Sequence, residues 1–365
     1  MYAPDRSPPR PLPHRPHRAQ ARTLQRGLSI IEAMVGLVVA LLVGIAATGS
    51  AVMFTASQRQ GIGTGGALVN ATTALNALRD DAAAAGLGFF GDSRFLCNRL
   101  NLSIANTVIS DGAGFTPVRI TAEAAGDSID VLSATQVASG ANVLLRSSTT
   151  GGDAELRSLL PAAVGDAVLL APDVPGQPCL VRTVTAVTPS TVDDPQRLSF
   201  DNTGLHNQAV FTNVVTYPDR GRVTQLGELR WTRYRLEGTD LRLERPLGGA
   251  PVVLARNVLA FRAEYGIAAA AAGSTSLEDW QDASGAFAAL APGDLPRVRA
   301  LRIGLVTRSP QREKPNAAGD CEATPVLPQL FGADIVPDVA DWQCYRYRTA
   351  VAVVPLRNLV MGMTP

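Results

Sequence analysis

Gly27-Leu28-Ser29-Ile30-Ile31-Glu32-Ala33-Met34 is the stretch on which the reading of this chain turns. It opens an apolar run from Leu28 to Phe54 in which Glu32 is the only charged residue. As a helix such a run is about 40 Å long, enough to cross a bilayer. Residues 1–27, ahead of it, are rich in Arg, Pro and His and show no apolar period. They carry Arg6, Arg10, Arg15, Arg18, Arg22 and Arg26 against Asp5. Of the chain's 33 basic and 32 acidic residues, six and one lie there, so the segment is +5 and the remainder −4. Basic residues before an apolar helix place the N-terminus inside and the body outside.

A secretory signal would have an apolar region of roughly 7–15 residues followed by a small-residue cleavage site, and this run is too long. A plain signal anchor fits the length but has no use for Glu32, because a carboxylate near the start of a membrane helix is expensive. The basic leader, Gly27, the apolar Leu28 and a Glu five residues after Gly27 together resemble the type IV prepilin cleavage motif. That resemblance implies cleavage between Gly27 and Leu28 by prepilin peptidase on the cytoplasmic side. It also implies N-methylation of the new Leu28 amine and retention of the apolar helix. Ser29 stands where the family more often has Thr. The leader is longer than is usual, which leaves a downstream start codon open. Glu32 then has a physical task. A carboxylate buried among packed helices is costly unless paired, and the Leu28 amine of a neighbouring subunit is its natural partner. A subunit in the wrong axial register would leave both charges unpaired.

Working outward, residues 28–60 read as a transmembrane and assembly helix. Gly61-Ile62-Gly63-Thr64-Gly65-Gly66 is expected to interrupt it as a hinge, with four glycines in six residues. It is not a phosphate-binding loop, since no strand precedes it and no Lys-Ser/Thr follows. Leu68, Ala71, Leu75, Leu78, Ala82 and Ala85 restore helical spacing, predicting an amphipathic stem helix over 67–90 that ends at Gly86 or Gly88.

Residues 91–365 read as a β-rich body. Strands are expected at Ser128–Ser133, Ala167–Ala171 and Leu180–Val187. A hairpin is expected from Glu228–Arg235 and Leu241–Arg245 around Glu237-Gly238-Thr239-Asp240, and further strands through Leu301-Arg302-Ile303-Gly304-Leu305 and from Tyr345 to Val354. Residues 309–340, rich in Pro, Gly and Asp, read as a loop excursion. An antiparallel sheet system packed on the later part of the helix is the economical α+β architecture.

Cys97, Cys179, Cys321 and Cys344 form no CxxC pair, and only His206 lies in the body to assist a zinc ion, so ligand spacing speaks against a metal. An even count in an exported chain fits two disulfides. Pairing of sequence neighbours, Cys97 with Cys179 and Cys321 with Cys344, is the expectation because shorter loops close more readily. Closing the 321–344 loop is worth roughly 3 kcal/mol by chain entropy.

Chemistry finds little support. His206, in Gly204-Leu205-His206-Asn207, has no nucleophile elbow to accompany it and reads as a loop histidine without function. Asp334, Asp338 and Asp341 lack EF-hand spacing and read as solvated acids. Trp231, Trp280 and Trp342 read as core or strand-pair residues ahead of an adhesive role. No catalytic, cofactor or metal residues are assigned. The mildly acidic body gives no reason to expect nucleic acid as a partner.

Ala85-Gly86-Leu87-Gly88-Phe89-Phe90-Gly91 is similar to the helix exit of PilW-like minor pilins. Leu241 to Arg245, Leu254 to Val258, Tyr265, Val298–Arg308 and Pro355-Leu356-Arg357-Asn358 are similar to the body of that family. The family implies a minor pilin that takes part in type IV pilus assembly, in an initiating or tip complex. A body too large for tight axial repetition agrees with such a low-copy role. Its partners would be other minor and major pilins, prepilin peptidase and the inner-membrane assembly machinery. It would sit in the inner membrane before assembly and in the filament afterwards. A minor pseudopilin of a type II secretion system, or a pilin-borne adhesin, is the alternative.

Overall fold

The computed structural model describes residues 29–92, 95–135, 142–174, 176–269, 276–290 and 294–361. The leader, with Gly27 and Leu28, lies outside the described residues. The chain divides into a unit ending at Gln58 and a body from Arg59.

Helix α1 runs from Ile30 to Ala84. It passes through Gly61–Gly66 without the interruption expected there. A glycine in a helix costs about 1 kcal/mol relative to alanine, which weakens a helix but does not forbid it. No proline lies in the stretch, and good helix formers flank it. The stem ends at Ala84 rather than at residue 90, and turn residues 85–88 follow. Gly86 and Gly88 adopt φ of +75° and +85°, the left-handed geometry with which glycine ends a helix. A side chain at Gly86 would also crowd Pro117 and Leu359, at 3.2 and 3.3 Å.

Within the body, Ala71, Ala74, Leu75, Leu78, Ala82 and Ala85 recur at helical spacing and are all buried. They share one core with two antiparallel sheets. One has five strands, in the order Val252–Ala255, Asp240–Glu244, Leu229–Glu237, Gly126–Ala134, Val118–Glu123. The other has four, in the order Leu277–Gln281, Val258–Ala268, Val298–Arg308, Tyr347–Pro355. Leu301, Ile303 and Leu305 alternate inward and are fully buried. The hairpin around Gly238 closes with Glu237 opposite Asp240.

Buried polar groups join these layers. Val118–Glu123 is an edge strand, so its outward N–H groups need partners from elsewhere. Ile120 N–H donates to the Tyr265 hydroxyl at 2.5 Å. Tyr234 donates to Asp81 on α1 at 2.6 Å. Burial pushes the hydroxyl pKa of both tyrosines well up. Tyr265→Phe is therefore expected to keep the packing yet orphan a buried N–H, lowering stability by about 1–3 kcal/mol. Urea unfolding measures this, and a loss indistinguishable from zero would show that water replaces the hydroxyl.

The strands Gly126–Ala134 and Leu229–Glu237 are neighbours, with Ala134 opposite Leu229. Residues 135–228 are thus an insertion between two paired strands. The insertion builds most of a six-stranded sheet, ordered Thr107–Gly114, Arg99–Ile104, Cys179–Thr183, Ala167–Ala171, Arg222–Gly227, Asn142–Leu144. It adds a three-stranded sheet of Ala186–Thr188, Gln196–Ser199 and Asp153–Leu156. The expected strand over 180–187 is two strands, parted at Val184-Thr185 where the chain changes sheets. The body from residue 91 therefore has more than one core: that on the helix, and others centred on Val143, Leu170 and Tyr217 and on Leu100, Leu169 and Val181.

The excursion after Arg308 covers the outer face of the four-stranded sheet. Leu330 packs with Ala260 and Val306, and it fills the space a side chain at Gly304 would need.

Candidate functional site

The candidate assembly element is the first part of α1. Residues Ile30–Thr55 form the segment long and apolar enough to cross a membrane, with mean hydropathy 2.6. Glu32 lies in the first turn. A carboxylate there meets the positive end of the helix dipole. The hydroxyls in the span turn back onto their own helix. Thr48 donates to the carbonyls of Gly44 and Ile45, and Ser50 to that of Ala46. Such back-bonding satisfies a hydroxyl without a partner helix. Glu32 is left as the charged group in an otherwise apolar span.

One feature of the span was not anticipated from sequence. Gly36, Ala40, Gly44 and Thr48 recur every four residues and lie on one face of α1. A side chain at Gly36 or Gly44 would meet nothing within 4 Å. Small residues at this spacing let membrane helices approach closely. The four-residue spacing is visible in the sequence itself.

The cysteines pair as Cys97–Cys179 and Cys321–Cys344. The first joins the segment following α1 to the insertion. The second closes the excursion over the four-stranded sheet, where Arg346 also pairs with Glu313. Glu313 N–H donates to the Cys344 carbonyl at 2.7 Å.

His206 is in a loop but buried, at 4% exposure. Its Nδ1 lies 2.6 Å from the Ser103 carbonyl, and its own carbonyl accepts from Arg182 Nη1 at 3.0 Å. Burial lowers its pKa, so the ring is neutral near pH 7. The three tryptophans are each half-buried. Trp231 Nε1 donates to Asp130 at 2.9 Å, and Arg302 stacks between Trp280 and Phe331 while it binds Glu264. Asp334, Asp338 and Asp341 do not share a ligand site. Asp334 accepts from Gln329, Asp338 faces Arg308 and Asp341 accepts from Arg312.

No curated protein matches the chain. Among solved structures, a type IV-like pilin from Thermus thermophilus aligns with 79% of this chain and 94% of its own. The identity is 13% and the TM-score 0.32, too loose a likeness to transfer any residue. Residues 233–358 match the family model of Type IV Pilus-assembly protein W. That segment begins in the strand that re-enters the five-stranded sheet after the insertion, and it takes in all four strands of the four-stranded sheet in full. An apolar N-terminal helix of crossing length and a pilus-assembly segment fit a membrane-anchored pilin. Residues 233–358 are thus similar to the Type IV Pilus-assembly protein W family.

Proposed function

We propose that this chain is a non-enzymatic minor pilin, processed between Gly27 and Leu28 and built into a type IV pilus in a complex with other minor pilins. The observation that carries the reading is Glu32, the charged group in a crossing-length apolar helix whose later residues form part of the body's core. The span is otherwise apolar and has a small-residue face, so helices can pack through it with little water. Glu32 is the acceptor for the methylated Leu28 amine of a neighbouring subunit. Before assembly the helix crosses the inner membrane with its N-terminus in the cytoplasm, since the segment ahead of it is +5. Pilins and the assembly machinery are the partners.

Processing is the direct test. In cells with prepilin peptidase, mass spectrometry of the membrane-extracted protein is expected to show a chain beginning at methylated Leu28. Gly27→Val is expected to leave the leader attached, because a branched side chain replaces the small residue at the scissile bond. An intact leader in the unaltered protein, or cleavage after Phe54, would remove the prepilin reading.

A further inference from the structure

Among the described residues, the two sheets on the helix end in four edge strands: Val252–Ala255 and Val118–Glu123 in one, Leu277–Gln281 and Tyr347–Pro355 in the other. An edge presents a row of unpaired N–H and C=O groups, and proteins blunt such rows with bulges, short strands, prolines or a covering group. Three of these four are blunted. The ladders of Val252–Ala255 and Leu277–Gln281 each contain a register shift, and the strands have only four and five residues. Val118–Glu123 meets the Tyr265 hydroxyl. Tyr347–Pro355 differs. Its nine residues lie in unbroken register against Val298–Arg308, and its one proline stands at the last position.

Hydrogen bonds at the two ends of this strand fix which of its groups face outward. Ser309 N–H donates to the Arg346 carbonyl at 2.8 Å, and Leu356 N–H to the Arg299 carbonyl at 2.9 Å. Bonded and non-bonded pairs alternate along an antiparallel ladder, so the even-numbered residues between these ends bond inward. Thr349, Val351 and Val353 thus turn their N–H and C=O groups away from the sheet, and those groups have no hydrogen-bond partner among the described residues. The excursion reaches Thr349, whose hydroxyl donates to the Gln329 carbonyl at 3.0 Å, but Val351 and Val353 are 50% and 51% exposed. Charge adds a second observation. From Tyr345 to Met361 the chain has three arginines and no acid. Arg346 pairs with Glu313, while Arg348 and Arg357, toward opposite ends of the row, are exposed and have no acid partner among the described residues.

We propose that the Tyr347–Pro355 edge takes an added strand: an extended segment of a partner polypeptide, apolar at alternate positions and acidic near its ends. Backbone bonds to Thr349, Val351 and Val353 hold the segment, and its apolar side chains cover Val351 and Val353. Its acids meet Arg348 and Arg357, which a segment of about eight residues reaches. A second copy of this edge fits less well, because it brings the same arginines and no acid. This inference does not rest on pilus assembly, and it adds a docking site within the body, away from the membrane span.

The test is hydrogen exchange, read by mass spectrometry, on the full chain in detergent micelles. The probe is acetyl-Asp-Val-Thr-Val-Thr-Val-Asp-amide. One comparison peptide carries N-methyl groups on all its central residues, and another has arginine in place of aspartate. The probe is expected to slow exchange in residues 347–354 and to leave the 118–123 edge unchanged. The N-methylated peptide is expected to protect neither, and the arginine peptide to bind more weakly than the probe. Val351→Pro removes one outward N–H at an edge position where proline is tolerated, so it is expected to keep its unfolding midpoint in urea and to lose the protection. Arg348→Gln with Arg357→Gln alters exposed side chains only and is expected to weaken the probe roughly fivefold, which keeps the proposal falsifiable should Val351→Pro unfold. The proposal is overturned by no protection at millimolar probe, by equal protection from either comparison peptide, or by undiminished binding in folded Val351→Pro or in the arginine double variant. Protection that rises with chain concentration in the absence of peptide would assign the edge to a second copy and overturn it as well.

Discussion

Glu32→Leu is expected to be inserted in the membrane and cut after Gly27 like the unaltered protein, yet to be missing from sheared pili. Insertion should be undisturbed or improved. A charge costs roughly 3 kcal/mol near the middle of a membrane helix and less near its end, and Glu32 lies in the first turn of α1. Cleavage depends on the Gly27–Leu28 bond and not on the later pair. Assembly differs, because the Leu28 amine of a neighbour would then be buried without its carboxylate. Removing one member of a buried ion pair costs about 3–5 kcal/mol, or a hundredfold or more in the assembly equilibrium. Glu32→Gln separates charge from shape, since it keeps the size and an acceptor but not the charge, and it is expected to fall between the two. The measurement is the amount of protein in the sheared fraction together with pilus number per cell. Normal recovery of processed Glu32→Leu together with a normal pilus number would remove the pairing role. A subunit at the very tip, with no subunit above it, is the geometry in which the protein reaches the filament while its carboxylate goes unused. Pilus number then becomes the deciding observable.

How much of this was legible in the letters depended on whether the information was local. Glu32 in its apolar run stood out because both the run and the exception are contiguous. Ala167–Ala171 and the hairpin around Gly238 were readable from apolar runs bounded by turn residues. The helix through Gly61–Gly66 was not, because local propensity is a weak signal and the sequence on either side carries the helix through. The insertion was hidden for another reason. Its boundary is the pairing of Ala134 with Leu229, across a sequence separation that no local period records. His206 illustrates the same point on the scale of one side chain. Read as a loop histidine it has no evident task, and its environment appears only when Ser103, more than a hundred residues earlier, supplies the carbonyl. The family match begins after the insertion and covers the later strands of the two sheets on α1, while residues 135–228 lie outside it.

That division sets the largest stability effect expected in the body, the loss of the Cys97–Cys179 bridge. The two cysteines are 82 residues apart in sequence, against 23 for Cys321–Cys344. In the chain-entropy account, closing the longer loop is worth about 4–5 kcal/mol and the shorter about 3 kcal/mol. Position adds to length. Cys179 stands opposite Leu100 in a parallel pairing of two register positions, the junction between the strand after α1 and the insertion. Parallel pairs are slightly less stable per residue than antiparallel ones, and so short a ladder holds little by itself. Both cysteines are buried beside Leu100, Leu169 and Val181, so alanine is the replacement that avoids burying a hydroxyl. Cys97→Ala with Cys179→Ala is therefore expected to lower the unfolding midpoint in urea more than Cys321→Ala with Cys344→Ala. It should also expose residues 142–227 to protease before residues 233–358 are cut. The core on the helix, which takes in Leu78, Tyr265 and Ile303, contains neither cysteine, so it has no reason to fail first. Equal losses from the two double variants, or cleavage beginning within 233–358, would mean that the insertion is held to the body by its packing and not by the bridge.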